Sequence, residues 1–159
     1  MVQLQPRRVA DSYTQQVQIV LNEHINGYNR LFGGQLMEWV DVVAAVVARR
    51  HCHRNVTTVS IDNLHFKAAA HANDTIVLIG RITYVGRTSM EVRVETFVES
   101  LEGERSLVNR AYLVLVALDD GERPALVPPL ELVTDEDRAE WAAGERRYRL
   151  RKQRRDEEF

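Results

Sequence analysis

The sequence predicts an α+β fold in which an antiparallel sheet wraps around one long central helix, with a further helix at the C-terminus. Three observations carry that expectation. From Leu36 to Ala48 the only charged side chains are Glu38 and Asp41, so this segment is apolar on nearly its whole circumference. A helix of that kind has to be surrounded. From Val56 onward the hydrophobic period changes to two, the signature of strands, and holds through four segments. The order is therefore one strand, a long helix and four strands, which does not alternate as βαβ units do and leaves an antiparallel sheet.

The elements follow in order. Residues 1–12 read as a loose lead-in, residues 13–133 as the folded domain, and residues 134–159 as a C-terminal helix with a charged tail. In "TQQVQIVL", Val17, Ile19 and Leu21 alternate as in a half-buried strand. "NEHINGYN" is a loop, since Asn and Gly are turn formers. The helix starts at Gly34 and runs to about Arg50. Four strands follow in "VTTVSIDNLHF", "DTIVLIGRITYVG", "TSMEVRVETFVES" and "SLVNRAYLVLVALD", with turns in "HAND", "VGRT" and "LEGER". In the third of these, Met90, Val92, Val94 and Thr96 alternate with Glu91, Arg93 and Glu95, which predicts one wet face. Pro124, Pro128 and Pro129 end the sheet region. Thr134 with Asp137 gives an N-terminal capping pattern for the last helix.

Composition narrows the functional classes. The 159 residues suit one domain with a real core. A net charge of −2 gives no global case for nucleic acid or an anionic membrane. The single cysteine, Cys52, excludes an internal disulfide and a CxxC pair. The longest apolar run is broken by Glu38 and Asp41 and falls short of a membrane span. No N-terminal stretch has the pattern of a secretory signal, so the expected compartment is the cytoplasm. In "RHCH", His51, Cys52 and His53 are sequence neighbours and do not share a helix face, so no metal site is expected there.

The central helix raises the chemical question. Gly34 and Asp41 are seven residues apart, about two turns, so they lie on nearly one stripe with Met37, Ala44, Ala45 and Ala48. A carboxylate on an apolar helix is costly to bury without partners. Either Asp41 accepts hydrogen bonds from a neighbouring chain and fixes a dimer, or it does chemistry. Gly33-Gly34 likewise either relieves crowding at a helix entry or exposes unpaired N–H groups at the positive end of the helix dipole, an oxyanion hole. One sheet cannot bury every side of this helix, so a second copy of the chain is expected against it.

The order N-x-x-x-x-(L/I)-F-G-G-x-L-M-x-x-x-D, here Asn26, Leu31, Phe32, Gly33, Gly34, Leu36, Met37 and Asp41, resembles the active-site segment of hotdog-fold acyl-CoA thioesterases, the acyl-CoA hydrolase branch. The similarity continues through "ARRHC", "VTTVSIDNLHF", "VGRTSMEVRVE", "VALDDGERPALVPPL" and "GERRYRLRKQR", roughly residues 13 to 155. It implies a helix wrapped by an antiparallel sheet, two such units forming a double hotdog. It also implies that Asn26 is the active-site asparagine, Asp41 the catalytic carboxylate, and Gly34 the glycine whose N–H polarises the thioester carbonyl. Asn26 and Asp41 of one site would come from different chains of a homodimer, and three dimers would make a hexamer. Two departures stand out: His24 where the family has Asp, and Asn29 where it has Gly. Asn29 keeps a left-handed turn accessible; His24 is a loop histidine or tunes the pH response.

The resemblance implies hydrolysis of acyl-CoA thioesters. Asp41 would act as general base toward water or as nucleophile through a mixed anhydride. Gly33 and the turn residues Gly86, Arg87, Thr88 and Ser89 are candidates for substrate binding. Coenzyme A enters as part of the substrate, and no metal or other cofactor is called for. The basic run Arg146, Arg147, Arg149, Arg151, Lys152, Arg154 and Arg155 is a solvated helix face or a contact for nucleotide phosphates. A non-catalytic acyl-CoA sensor and a hotdog dehydratase are the rival readings. A sensor needs no base, and a dehydratase would not release free thiol.

Overall fold

The helix that is apolar almost all round does lie in the concave face of a curved sheet. The computed structural model describes residues 3–158. In chain order the elements are β1 (Arg7–Arg8), a 3-10 turn (Val9–Asp11), β2 (Thr14–Ile19), a second 3-10 turn (Asn22–His24), α1 (Gly33–Cys52), β3 (Asn55–Phe66), β4 (Thr75–Val85), β5 (Ser89–Glu99), β6 (Arg105–Leu118), β7 (Leu130–Glu131) and α2 (Asp135–Asp156). The main sheet is antiparallel in the order β2-β4-β5-β6-β3. Leu36, Val40, Val43, Ala44, Val47 and Ala48 of α1 are buried against Ile76, Leu78, Ile82, Val92, Leu113 and Leu115 of the sheet, forming the core. A Cβ on Gly80 would lie 2.7 Å from a methyl of Val43, so that glycine lets α1 approach β4 closely.

Several details depart from the sequence reading. The segment expected as a loose lead-in is docked from Arg7 onward: β1 pairs in parallel with β7, Val9 is buried, and Arg7 Nη1 donates to the His51 carbonyl at 2.6 Å. Residues 1 and 2 lie outside the described residues. In β2 the period of two is present, but Val17 and Ile19 are the exposed positions, at 54% and 52%. Gln16 and Gln18 stand opposite Leu78 and Ile76, on the face toward α1. β2 is an edge strand whose outer face extends past the reach of α2, so its apolar row stays uncovered in one chain.

The wet face expected on β5 is dry. Glu91 and Arg93 are buried because α2 lies across them and supplies opposite charges. Arg147 reaches both carboxylate oxygens of Glu91, Arg151 donates to it at 2.8 Å, and Thr83 donates at 2.6 Å. Arg93 donates to Glu140 at 2.6 Å. A Cβ on Gly144 would stand 2.7 Å from Tyr84 Cβ, so the glycine lets α2 settle on the sheet. Thr134 caps α2 with Asp137 as expected. The basic run is consequently divided: Arg147 and Arg151 are spent on the sheet, while Lys152 and Arg155 face solvent.

His51 belongs to the fold. Its Nε2–H donates to the Pro128 carbonyl at 2.8 Å, and its Nδ1 is buried with no partner among the described residues. Burial pushes the imidazole below the usual histidine range, against the pull of the Pro128 bond. Cys52 is a buried free thiol that burial shifts upward.

Candidate active site

The loop before α1 is held by its own backbone and by one side chain. Asn26 Oδ1 accepts from the N–H groups of Tyr28 at 2.9 Å and Arg30 at 3.3 Å. Its oxygen is thereby committed to the turn, and its Nδ2 donor has no partner among the described residues. Asn29 sits at φ 59°, the left-handed position expected of it. His24 closes the same turn: its Nδ1 accepts from Leu21 N–H at 3.0 Å, and its ring meets Trp39 edge-on with centroids 5.0 Å apart. Only 14% of its side chain is exposed, so it packs into the loop instead of standing on the surface.

α1 then begins without a side-chain cap, its N-cap being Phe32. Leu36 N–H bonds to the Phe32 carbonyl, so the N–H groups of Gly33, Gly34 and Gln35 precede the first helical hydrogen bond. A cavity of about 430 Å³ opens at this helix start, lined by Asn26, Gly33, Leu36, Phe66, Ala69 and Val108 among others. Gly33 and Asn26 face it together; Gly34 is not on its wall. A Cβ on Gly34 would come within 2.6 Å of the Phe32 ring, whereas one on Gly33 would make ordinary contact with Phe66 at 3.6 Å. A side chain at Gly34 would displace the exposed Phe32 ring, while Gly33 lines the cavity.

Asp41 is not part of that wall. It is half-buried two turns farther along α1, on the stripe that the sheet leaves uncovered with Met37, Val42 and Ala45. Ala44 and Ala48, expected to share that stripe, are fully buried. Thr58 Oγ1 of β3 donates to Asp41 Oδ1 at 2.6 Å. Reading the sequence passed over Thr58, because a threonine in a strand is ordinary β-propensity and nothing local ties it to residue 41.

The turn at residues 86–89 closes the β4–β5 hairpin. Gly86 N–H bonds to the Ser89 carbonyl, and the carbonyls of Arg87 and Thr88 accept from Val127 and Ala117. The Arg87 side chain is exposed, and Ser89 lines a second, basic cleft. Ser89 pairs with Val116 of β6, to which the first residues of β3 also pair. The turn therefore lies at the Thr58 end of β3, and the cavity at Asn26 lies at its Phe66 end. One chain brings together Asn26 with Gly33, and Asp41 with Thr58, but not the two pairs with each other. Among the described residues no group of three or more His, Cys, Asp or Glu side chains has the geometry of a metal site. No helix is long and apolar enough to cross a membrane.

Comparison with known proteins gives a consistent set of matches. The thioesterase superfamily model matches residues 28–103. An uncharacterized acyl-CoA thioester hydrolase of Bacillus subtilis is 40% identical over 113 residues, 70% of this chain and 66% of that protein. The crystal structure of an apo-hexameric acyl-CoA thioesterase superposes with a TM-score of 0.90 at 36% identity, over 95% of this chain and 97% of its own. An acyl-CoA hydrolase of Staphylococcus aureus, solved with butyryl coenzyme A, coenzyme A and coenzyme A disulfide, superposes with a TM-score of 0.90 at 29% identity. That match covers 96% of this chain and 93% of the other. The same enzyme has been solved with an asparagine, an aspartate or a threonine replaced by alanine. The chain spans 22% and 26% of two mouse thioesterases it also matches.

Proposed function

Since the chain belongs to the thioesterase superfamily, we propose that it hydrolyses acyl-CoA thioesters to free coenzyme A and a carboxylic acid, at sites shared between two copies of the chain. The observation that carries this is the separation of the two half-sites. Eight residues of helix put Asp41 about 12 Å along the axis from Gly33, where α1 starts. A carbonyl held at the Gly33 end is out of reach of the same chain's Asp41.

A two-fold dimer closes that gap. β3 is a twelve-residue edge strand, and an edge of that length invites a partner strand. Val59 and Phe66 on it, and Met37 and Val42 on α1 beside it, are exposed apolar side chains in one chain. Antiparallel pairing of β3 with its own copy sets the Phe66 end of one strand beside the Asn55 end of the other. Asn26 and Gly33 of one chain then face Asp41 and Thr58 of its partner. The residue types replaced in the Staphylococcus aureus structures, an asparagine, an aspartate and a threonine, support the same assignment. Three such dimers form the hexamer. The uncovered outer row Tyr13, Val17, Ile19 and Leu21 and the hexameric relative support that assembly.

In this site the N–H groups at the start of α1 hold the thioester oxygen, and Asn26 Nδ2 donates to the carbonyl or the water. Thr58 occupies Oδ1 of Asp41, which leaves Oδ2 to take a proton from water. The hydroxide oxygen bonds to the carbonyl carbon and the negative charge moves to the carbonyl oxygen, stabilised by the helix start. Collapse of that intermediate breaks the C–S bond, and the thiolate of coenzyme A leaves and takes up the proton from Asp41. Coenzyme A enters only as part of the substrate, and the cytoplasm is the compartment proposed for the reaction.

The test is a panel of acyl-CoAs incubated with purified protein while free thiol is followed. Thiol release by the wild type, reduced about 10²- to 10⁴-fold in Asp41→Asn, is the expected result. Wild-type protein that binds the esters without releasing thiol would instead be a sensor, and release undiminished in Asp41→Asn would remove the base.

A further inference from the structure

Among the described residues, four turns are closed in one way, by a side chain that accepts a hydrogen bond from the backbone N–H three residues earlier. In three of them the acceptor is a carboxylate: Asp11 takes Arg8 N–H at 3.0 Å, Asp74 takes His71 N–H at 2.8 Å and Asp137 takes Thr134 N–H at 3.1 Å. In the fourth it is an imidazole, since His24 Nδ1 takes Leu21 N–H at 3.0 Å. The two kinds of acceptor fail under different conditions. A carboxylate goes on accepting at any pH above about 4. A ring nitrogen that gains a proton becomes a donor and loses the bond, and imidazole is the side chain that does so between about pH 5 and 8.

This fourth turn stands at the base of the candidate site. The His24 carbonyl accepts from Phe32 N–H at 2.8 Å, Ile25 pairs with Leu31, and Asn26 N–H donates to the Arg30 carbonyl at 2.8 Å. Residues 24–32 are therefore a small hairpin with His24 and Phe32 at its mouth, Asn26 near its tip and Gly33 directly after it. Asn26 and Gly33, which line the cavity at the start of α1, both hang on that closure. The surroundings of the ring offer a second arrangement. Glu23 Oε1 lies 3.6 Å from Nε2 and is the only carboxylate within 4 Å of the ring nitrogens among the described residues. α1 meets the ring through Trp39, with Glu38 and Asp41 about 100° and 160° around the helix from that residue. The hairpin carries Arg30, which lines the cavity, and the exposed Tyr28; the loop before β4 reaches it through His71, opposite Arg30. A neutral ring thus has Leu21 to hold, and an imidazolium has Glu23.

We propose that His24 is a positioning residue, a pH-sensitive latch that keeps the Asn26 hairpin and the start of α1 in their active arrangement only while its Nδ1 is unprotonated. As pH falls, the proton on Nδ1 breaks the bond to Leu21, the ring turns toward Glu23, and Asn26 and the Gly33 N–H lose their registration. The effect on hydrolysis rests on the acyl-CoA reading; the latch itself does not.

Two variants of the assembled protein separate the ring from its acceptor. His24→Asn keeps an acceptor near the position of Nδ1 that does not titrate, and His24→Phe keeps a ring edge against Trp39 but removes the acceptor. Thiol release from acyl-CoA is followed between about pH 8 and pH 5, together with the emission of Trp39, which an adjacent imidazolium quenches. Over that range the wild type should lose about tenfold more activity than His24→Asn, mostly in kcat, because protonation of Asp41 is common to both. His24→Phe should be slower by about tenfold already at the alkaline end. Wild-type emission should fall over the same interval as its activity, with no such step in either variant. Parallel pH profiles for wild type and His24→Asn, a fully active His24→Phe, or no emission step in the wild type each overturn the proposal. If His24→Phe does not fold, wild type against His24→Asn decides alone. A wild type that shows the emission step but releases no thiol at any pH would instead overturn the hydrolase reading and leave the latch in place.

Discussion

A hydroxyl 2.6 Å from one carboxylate oxygen holds that oxygen in place and leaves the other oxygen without that bond. Thr58 does this for Asp41 from a strand seventeen residues away. A hydrogen bond to a charged group contributes about 1.5–3 kcal/mol, which corresponds to roughly 10- to 150-fold in rate if it is expressed in the transition state. Thr58→Val keeps the branched shape and removes the donor, so kcat should fall by about that factor with KM changed little. Thr58→Ser should restore most of the rate. Steady-state kinetics of the two variants check this, and a fully active Thr58→Val would reduce the contact to a structural one. At this scale the sequence already singled out Asn26, Asp41 and Gly34 as catalytic candidates and Gly33 as a candidate for substrate binding. In the fold it is Gly33, not Gly34, that lines the cavity beside Asn26.

Among elements, α2 and β5 show how charge can act as packing. Glu91 is 1% exposed and is held by Arg147, Arg151 and Thr83, with the Arg147 guanidinium 3.8 Å from the centroid of the Tyr112 ring. Removing one member of a buried ionic group leaves its partners uncompensated, at a cost of roughly 3–5 kcal/mol. Glu91→Ala should therefore lower unfolding stability by about that amount in urea titrations. Arg149→Ala, which removes an exposed pair with Glu145, should change it by about 0.5 kcal/mol or less. Equal effects would mean that α2 is held by its apolar contacts alone. The alternation of Glu91, Arg93 and Glu95 is legible in the sequence, but it records only that one face is charged. Whether water or another helix's arginines meets that face depends on a segment more than fifty residues later.

For the whole molecule, the separation of Asn26–Gly33 from Asp41–Thr58 makes a distinctive demand on assembly. With the proposed shared sites, a mixed dimer of Asn26→Ala and Asp41→Ala would concentrate both lesions in one site and leave the other intact. With random pairing, half the dimers are mixed and half of their sites are whole, so co-refolding should recover about a quarter of wild-type activity. Each variant refolded alone should stay inactive. Mixed dimers that are present but inactive would count against a shared site.

By itself the sequence determined the periods, the cap of α2 and the segment that carries the candidate site. The all-round apolar helix, the run of strands, the Thr134–Asp137 cap and the left-handed Asn29 depend on residues close in the chain, whose preferences act locally. A helix apolar on every side exceeds what one sheet can cover, and Met37 and Val42 of α1 are left exposed in the single chain. Only the tertiary structure decided which face each period presents. It turned Val17 and Ile19 outward, buried Glu91 and Arg93 under α2, and set Thr58 against Asp41. The physical reason is the same in each case: burial and hydrogen bonding are set by what packs against a residue, and the partners here are distant in the chain, where periodicity carries no information.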